Sequence, residues 1–436
     1  MELQLKNIGM IKEANVKIDG LTVIAGENDT GKSTVGKLLF SLIKASSRYK
    51  EDLEENKDEK IFSIIEKIYF RLRRQVDFSD SLDFRKLFYP PNFKRDIEIY
   101  GIEAVITRIG FIYEAKSKLD IVDDLENIKT ILLSNDNIAK MQRNAFKKVL
   151  ISEFKGKIKN QNFLEEKSEI KIYDGSNPIV DISLSNNNIK KFEVYDELYF
   201  NDATFIESPI LLQLSELIDN SKTYFEDIGK IGTRTANVSL HIKDLNQKVK
   251  ESEYNQDFLD LDFIFNDLNI ESLVNDLSNI INGAIKYNKK TKDFMYVSNG
   301  KSYFNLNTAT GIKSFGIMQM LIQSGFINER SLLILDEPEV HLHPKWQLKY
   351  AEFIVKLVEN GINILVTSHS PYMIEALKVY SESKGLQDKT NFYLAEKDEG
   401  ETTSSIREVN DDMWLIFEKL STPLSKLKMI SLDDIL

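Results

Sequence analysis

The stretch Gly26-Glu27-Asn28-Asp29-Thr30-Gly31-Lys32-Ser33-Thr34 carries the most specific chemistry in this chain. It fits the pattern G-x-x-x-x-G-K-[ST] and stands between an apolar strand-like run and an apolar-periodic helix, the setting in which such a loop holds phosphates. Glycines let backbone N–H groups wrap an anion, and the N-terminus of the following helix adds positive partial charge. Lys32 has the reach and charge for the β- and γ-phosphates of a nucleotide, while the Ser33 hydroxyl suits a Mg²⁺ position. Gly26, Asn28, Asp29, Thr30, Gly31 and Thr34 are expected to line the same cradle. A chance glycine loop is the bland reading, and the flanking strand and helix weigh against it.

Far downstream, Leu332-Leu333-Ile334-Leu335-Asp336-Glu337-Pro338 reads as a strand buried on both faces with two carboxylates at its C-terminal end. Asp336 is placed to hold Mg²⁺, directly or through water, and Glu337 to polarise an attacking water as general base. Alone, such a run is often only a strand entering a polar turn; together with the phosphate loop it becomes specific. The chain has 4 histidines. His369, in Thr367-Ser368-His369-Ser370 directly after the apolar strand Asn363–Val366, stands where an imidazole can hydrogen-bond a γ-phosphate. His341 and His343 alternate on an extended segment. A metal site and a subunit-contact loop compete there, and the missing third ligand favours the loop. His241 has no companion motif and reads as an ordinary structural histidine.

The elements that must position these groups are legible in outline. Strand patterns cover Glu2–Lys6, Ile11–Ile18 and Leu21–Ala25, followed by a helix over Lys32–Lys44. From Ala45 to about Lys167 the pattern is mostly helical and charged, with residues 49–60 as a solvated helix face or loop. Strands return at Glu169–Tyr173, Ile179–Leu184 and Ala203–Glu207. Helices are expected at Ile210–Ile228 and Glu271–Ile281 with a polar stretch between them, then a hairpin of Asp293–Val297 and Lys301–Leu306. The last third alternates helix and buried strand (Ile312–Gly325, Leu332–Leu335, Pro344–Glu359, Asn363–Val366, Pro371–Ser383), which implies a parallel α/β sheet. A final hairpin, Asn391–Ala395 with Thr402–Val409, turns around Asp398-Glu399-Gly400.

Composition narrows the class. With 42% apolar and 10% aromatic residues among 436, the chain fills substantial cores and is no disordered tail. The absence of cysteine excludes disulfides and thiolate metal sites. No apolar run approaches bilayer length and the first residues lack a signal-peptide pattern, so a cytoplasmic protein without membrane contact is expected. The net charge of −11 argues against a surface coated with nucleic acid, although local basic patches remain open.

Asp336-Glu337-Pro338-Glu339-Val340-His341-Leu342-His343-Pro344 and Thr367-Ser368-His369-Ser370-Pro371 resemble the ABC-type ATPases related to the overcoming-lysogenisation-defect proteins. That group includes ATPase subunits of anti-phage systems such as Septu and PARIS, and its members resemble SMC-type heads. The likeness covers about residues 1–44 and 283–409. It implies an α/β ABC-type P-loop ATPase head with an N-terminal antiparallel β subdomain and a large helical insertion. ATP and Mg²⁺ would be the ligands, and two ATPs would be closed between two subunits. It further implies a signature loop at Thr310-Gly311, gripping the γ-phosphate of the opposite subunit, with Lys313 supplying charge where the second glycine and glutamine of the transporter form are missing. A plain helix N-cap is the alternative there. Glu207 lies where the family places its glutamine; it either reaches the metal or is an ordinary strand end.

The expected organisation is a head at 1–44, a helical insertion at 45–167, a return to the head at 168–234, a short helical arm at 235–282, and the rest of the head at 283–436. Basic clusters at Arg71, Arg73 and Arg74 and within 141–167 suit either phosphate contact or a solvated helix face, and the latter is favoured. Two functional classes compete: an ATP-gated switch acting on a separate nuclease or toxin in bacterial defence, and an SMC-like ATPase clamping DNA. A transporter's nucleotide-binding subunit fits less well. The resemblance implies a homodimer or higher oligomer through the ATP site, with nucleic acid open as a further partner. Only residues 410–436 follow the final hairpin, too few for a fused nuclease domain.

Overall fold

Apolar residues at alternate positions give β1 (Glu2–Ile8) and β2 (Ile11–Lys17) a buried face, and the unbroken buried run of β3 (Leu21–Gly26) covers that strand on both faces. The computed structural model describes residues 1–75, 86–114, 121–133, 138–159, 167–224, 236–252, 270–397 and 400–422. Helix α1 (Lys32–Gln75) starts at the lysine of the phosphate loop and runs 44 residues, well past the end expected at Lys44. The reason is local: no glycine or proline occurs between Gly36 and Pro90, so nothing in the backbone stops it. Then come α2 (Pro90–Tyr100), α3 (Ile102–Glu114), α4 (Val122–Leu133) and α5 (Ile138–Phe154).

The chain returns to sheet in β4 (Ser168–Asp174), β5 (Asn177–Ser185), β6 (Asn188–Val194) and β7 (Asp202–Ile206). Helix α6 (Leu211–Asp219) precedes the short parallel pair β8 (Lys222–Thr223) and β9 (Asn237–Val238), so the helix expected to reach Ile228 stops at Asp219. Helices α7 (Leu240–Glu251) and α8 (Ile270–Ile281) follow; residues 253–269 of the expected arm lie outside the described ones. Three antiparallel strands, β10 (Ala284–Asn288), β11 (Asp293–Ser298) and β12 (Lys301–Phe304), lead into α9 (Thr310–Gln323). The last part is β13 (Ser331–Asp336), α10 (Pro344–Glu359), β14 (Asn363–Ser368), α11 (Pro371–Ser383) and the hairpin β15 (Thr390–Lys397)–β16 (Ser404–Glu408). Asp398 and Glu399 of the hairpin turn lie outside the described residues.

One 11-stranded sheet has the order β6-β5-β4-β1-β2-β16-β15-β3-β14-β13-β7. From β15 to β7 every pairing is parallel, and from β6 to β2 every pairing is antiparallel. The β16 strand joins the two parts, lying parallel to β2 and antiparallel to β15. Helix α1 packs closely on the parallel part. A Cβ at Gly36 would lie 2.9 Å from Ile334 and 3.0 Å from Phe205, which fixes a small residue there.

Two compact units result: Met1–Ser47 with Phe146–Leu436, and Arg48–Ala145. The expected insertion boundaries at 45 and 167 bracket the second. Its core is aliphatic and aromatic, with Ile65, Ile68, Leu72, Phe88, Phe93, Val105, Leu125 and Ile128 all fully buried. Inside that unit lies Arg108, 2% exposed, with its guanidinium 3.9 Å from the centre of the Phe93 ring. It donates to Leu87 O (2.9 Å), Ala104 O (2.8 Å) and Asp96 Oδ2 (2.6 Å). Among the described residues no helix is long and apolar enough to cross a membrane.

Candidate nucleotide site

The phosphate loop joins the end of β3 to the start of α1, as its glycines require. Gly26 has φ 154°, and a Cβ there would lie 2.2 Å from Ala395 O; Gly31 has φ 85°, and a Cβ would meet Ile11 at 2.7 Å. Asp29 takes a left-handed φ of 63° and is exposed, as is Asn28. The C-terminal hairpin braces the loop from outside: Lys397 Nζ is 2.7 Å from Asp29 Oδ2, and Ser404 Oγ donates to Thr30 O at 2.7 Å. Thr30 Oγ1 in turn donates to Glu27 O (2.8 Å), and Thr34 N donates to Gly31 O (3.0 Å). Lys32 is buried and donates to Gly26 O (3.0 Å) and Glu27 O (2.7 Å). Burial lowers its pKa, and Glu337, Asp336 and Glu339 oppose that shift.

Parallel pairing of β13 with β14 brings the acidic pair and the histidine loop to this same edge, with Asp336 opposite Thr367. Asp336 is buried and accepts from Thr367 Oγ1 at 2.5 Å. Burial raises its pKa, against hydrogen bonds from Thr367 and Ser33. Glu337 sits at φ 49°, held by its N–H donating to Thr367 O (3.0 Å) and to Thr367 Oγ1 (3.2 Å). Its Oε1 is 3.8 Å from Lys32 Nζ and 3.4 Å from His369 Nδ1. The loop carrying His369 is anchored by Glu339, whose buried Oε1 accepts from Ser368 Oγ (2.7 Å), His369 N (2.8 Å) and Ser370 N (3.2 Å). His369 Nδ1 and Glu339 Oε2 are buried without a hydrogen-bond partner.

Glu207 follows β7, whose Ile206 pairs with Leu335, so it stands level with Asp336 on the neighbouring strand. Its Oε1 is 3.8 Å from Lys37 Nζ and its Oε2 3.1 Å from His241 Nε2. The other ring nitrogen of His241, Nδ1, is 2.5 Å from Glu153 Oε2. Burial would lower the His241 pKa, but the hydrogen bonds to Glu153 and Glu207 outweigh it and leave the pKa raised. The hydrogen bond from His241 holds the Glu207 carboxyl below its ordinary value. His241 has no companion motif in the sequence because its partners are distant in the chain and meet it only in the fold.

A family model described as "AAA ATPase domain" matches residues 1–374. The chain belongs to this family. Over 124 residues it is 28% identical to the Septu protein PtuA of Bacillus thuringiensis, a match covering 24% of this chain and 31% of that protein. Over 407 residues it is 23% identical to the endonuclease GajA of Bacillus cereus (strain HuB5-5), covering 85% of this chain and 54% of that one. The chain thus spans about half the length of one curated relative and under a third of the other. Among solved structures, the SMC head domain from Thermotoga maritima aligns with 94% of this chain and 98% of its own at 10% identity and a TM-score of 0.40.

In this AAA ATPase domain the segment Thr310-Gly311, expected as a signature loop, opens helix α9. Ala309 occupies the N-cap position of α9 without a side-chain hydrogen bond, and Thr310 is the first helical residue, so Thr310 is not the cap. A Cβ at Gly311 would lie 2.9 Å from the Trp346 ring and 3.3 Å from Leu342. Lys313 is buried in the first turn, and that burial lowers its pKa. His343 caps α10, its Nδ1 accepting from Lys345 N at 3.3 Å. Among the described residues no group of three His, Asp or Glu side chains is arranged to hold a metal, so the metal alternative for His341 and His343 finds no third ligand. Glu339, Thr367, Lys397 and Ser404 joined the site unannounced, because their roles are contacts across strands and carry no local pattern.

Proposed function

We propose that the chain is an ATP-binding and ATP-hydrolysing switch subunit that dimerises head to head around two ATP molecules and controls a separate effector in bacterial anti-phage defence. The observation that carries the ATPase reading is the convergence of Lys32, Ser33, Asp336, Glu337 and His369 at one sheet edge, within an AAA ATPase domain family member. In this reading the N–H groups around Gly26–Thr34 and the Lys32 ammonium hold the phosphates. Lys32 exchanges its two loop carbonyls for phosphate oxygens, so its burial is compensated by the ligand.

The residues fit Mg²⁺. Ser33 and Asp336 present hard oxygen donors to each other, and burial, which already raises the Asp336 pKa, favours a compensating cation beside it. Bound there, Mg²⁺ would neutralise charge on the phosphates. Glu337 orients and deprotonates the attacking water. His369, fixed through Glu339, has Nδ1 within 3.4 Å of Glu337 Oε1 and can report the γ-phosphate to the base. The defence role is supported by the resemblance to the Septu group and by the matched Septu protein; the effector is a separate nuclease or toxin, and nucleic acid is a candidate trigger.

Mixing inactive subunits tests sharing across the dimer. Thr310→Glu places a carboxylate where the opposite γ-phosphate would sit, while favouring the helix N-terminus that carries it. Mixed with Lys32→Ala protein it should restore activity towards roughly a quarter of wild type, since one site of each mixed dimer is intact. No recovery despite demonstrated subunit exchange, with each mutant inactive alone, would refute a site shared in this way.

A further inference from the structure

The His241 ring is held on every side. Phe40 meets it edge-on, with centroids 6.1 Å apart and an interplanar angle of 85°, and Phe205 lies 4.8 Å away at 51°. Both ring nitrogens face carboxylates, Glu153 at 2.5 Å and Glu207 at 3.1 Å, and the side chain of Glu153 is 0% exposed. The His241 backbone N–H also donates to Glu153 Oε1 at 3.2 Å, and the preceding Leu240 N–H donates to Ser152 Oγ at 2.7 Å. The ring cannot turn without losing both carboxylates, and the carboxylate behind it cannot move without disturbing the start of α7. At the far end of this chain of contacts, Glu207 is 46% exposed and level with Asp336. Such a line of buried polar groups, ending in a half-exposed carboxylate whose other oxygen lies 3.8 Å from Lys37 Nζ, is costly to assemble for packing alone, because each buried polar atom must find a partner. It is the arrangement that fixes the direction of an oxygen ligand.

We propose that His241 and Glu153 are positioning residues for Glu207, which they hold as an additional oxygen donor on the metal side of the nucleotide site. This rests on the Mg²⁺-ATP reading above. Glu207 does not touch the reacting atoms; it completes the oxygen surroundings of the cation, directly or through water. Its donor direction is set by helices α5 and α7.

The test uses the full chain in the Glu337→Gln background, which stops turnover, and measures Mn²⁺ binding in the presence of ATP by the loss of the free Mn²⁺ signal in electron paramagnetic resonance. Glu207→Ala should weaken Mn²⁺ binding about tenfold, and His241→Leu by a similar factor. The double variant should be little worse than either single one. ATP binding in EDTA should be unchanged in all three. A His241→Leu protein that melts at lower temperature but binds Mn²⁺ as the parent does would show a structural role only and overturn the proposal, as would full additivity of the two changes. If His241→Leu fails to fold, Glu153→Gln carries the test, since it keeps the side-chain shape. It should weaken Mn²⁺ binding about threefold, a smaller loss than at the first partner of the ligand, and unchanged affinity would again overturn the proposal. Failure of the underlying reading looks different: the parent itself would then take up no Mn²⁺ with ATP.

Discussion

Lys32 and Arg108 are both buried cations, one in each compact unit, and they are satisfied in opposite ways. Arg108 directs its donors to Ala104 of its own helix and to Leu87 and Asp96, and lays its face on Phe93, so all its partners lie within the same helical unit. Lys32 is met by two loop carbonyls and by Glu337 at 3.8 Å. Around it lie Asp336, whose pKa burial raises, and two buried atoms without a hydrogen-bond partner, His369 Nδ1 and Glu339 Oε2. A buried charge closed off by its own protein is structural. One surrounded by incompletely satisfied neighbours is arranged for something that arrives.

The contrast is tested most severely by substitutions at the incomplete site. Glu337→Gln should keep ATP binding while lowering turnover at least about a hundredfold, measured as phosphate release at saturating ATP. Near-normal turnover would remove the base from this residue. Glu339→Ala frees the Ser368, His369 and Ser370 loop, so kcat should fall about tenfold with ATP affinity nearly unchanged, as steady-state kinetics would show. Arg108→Met should do the reverse. It leaves Asp96 Oδ2 and Leu87 O without this donor and should cost about 3 kcal/mol in urea unfolding with nucleotide binding intact.

The smallest expected effect concerns a third arrangement, a ring of alternating charges. Lys44 contacts Asp202 (2.5 Å) and Asp244 (2.6 Å), and Lys248 contacts the same two carboxylates at 2.6 and 3.1 Å. Burial alone would raise Asp202, but Lys248 and Lys44 outweigh it and hold its pKa below the ordinary value. A carboxyl lowered in the folded state stabilises above its unfolded pKa, and that stabilisation is lost as pH falls through the folded one. Asp202→Asn should therefore melt lower than wild type near neutral pH, by about 1–2 kcal/mol after allowance for partial exposure, with the gap closing below about pH 4. A gap independent of pH would show that the charge at Asp202 is not what the ring uses.

Much of the site was readable because its main groups lie in short local patterns: Gly26–Thr34, Asp336-Glu337 and Thr367–Ser370 each follow a strand whose apolar run announces it. What could not be read was whatever depended on another part of the chain. Helix α7 falls within the expected helical arm at 235–282, but its bounds are not legible, since the residues it buries include His241, Asn246 and Lys248, which apolar periodicity does not register. Strand β6 leaves no alternating pattern in the sequence because it is the sheet edge, where only Ile189 is buried. Glu339 lies only three residues beyond Asp336, yet its role is a set of hydrogen bonds to residues 29 to 31 positions away.

The position of β3 governs when the head can be completed. It lies between β14 and β15, and β2 beside it in the chain pairs with β16, so the phosphate-loop strand takes both neighbours from residues 363–368 and 390–397. At ribosomal rates of about 5–20 residues per second, that strand leaves the ribosome on the order of 20 to 70 seconds before its last partner is made. Until then its edges are open, and β1 with β2 is the only part of the N-terminal segment that can pair locally. The nascent chain thus cannot build its nucleotide cradle early, and synthesis itself acts as the timer for when this domain becomes competent.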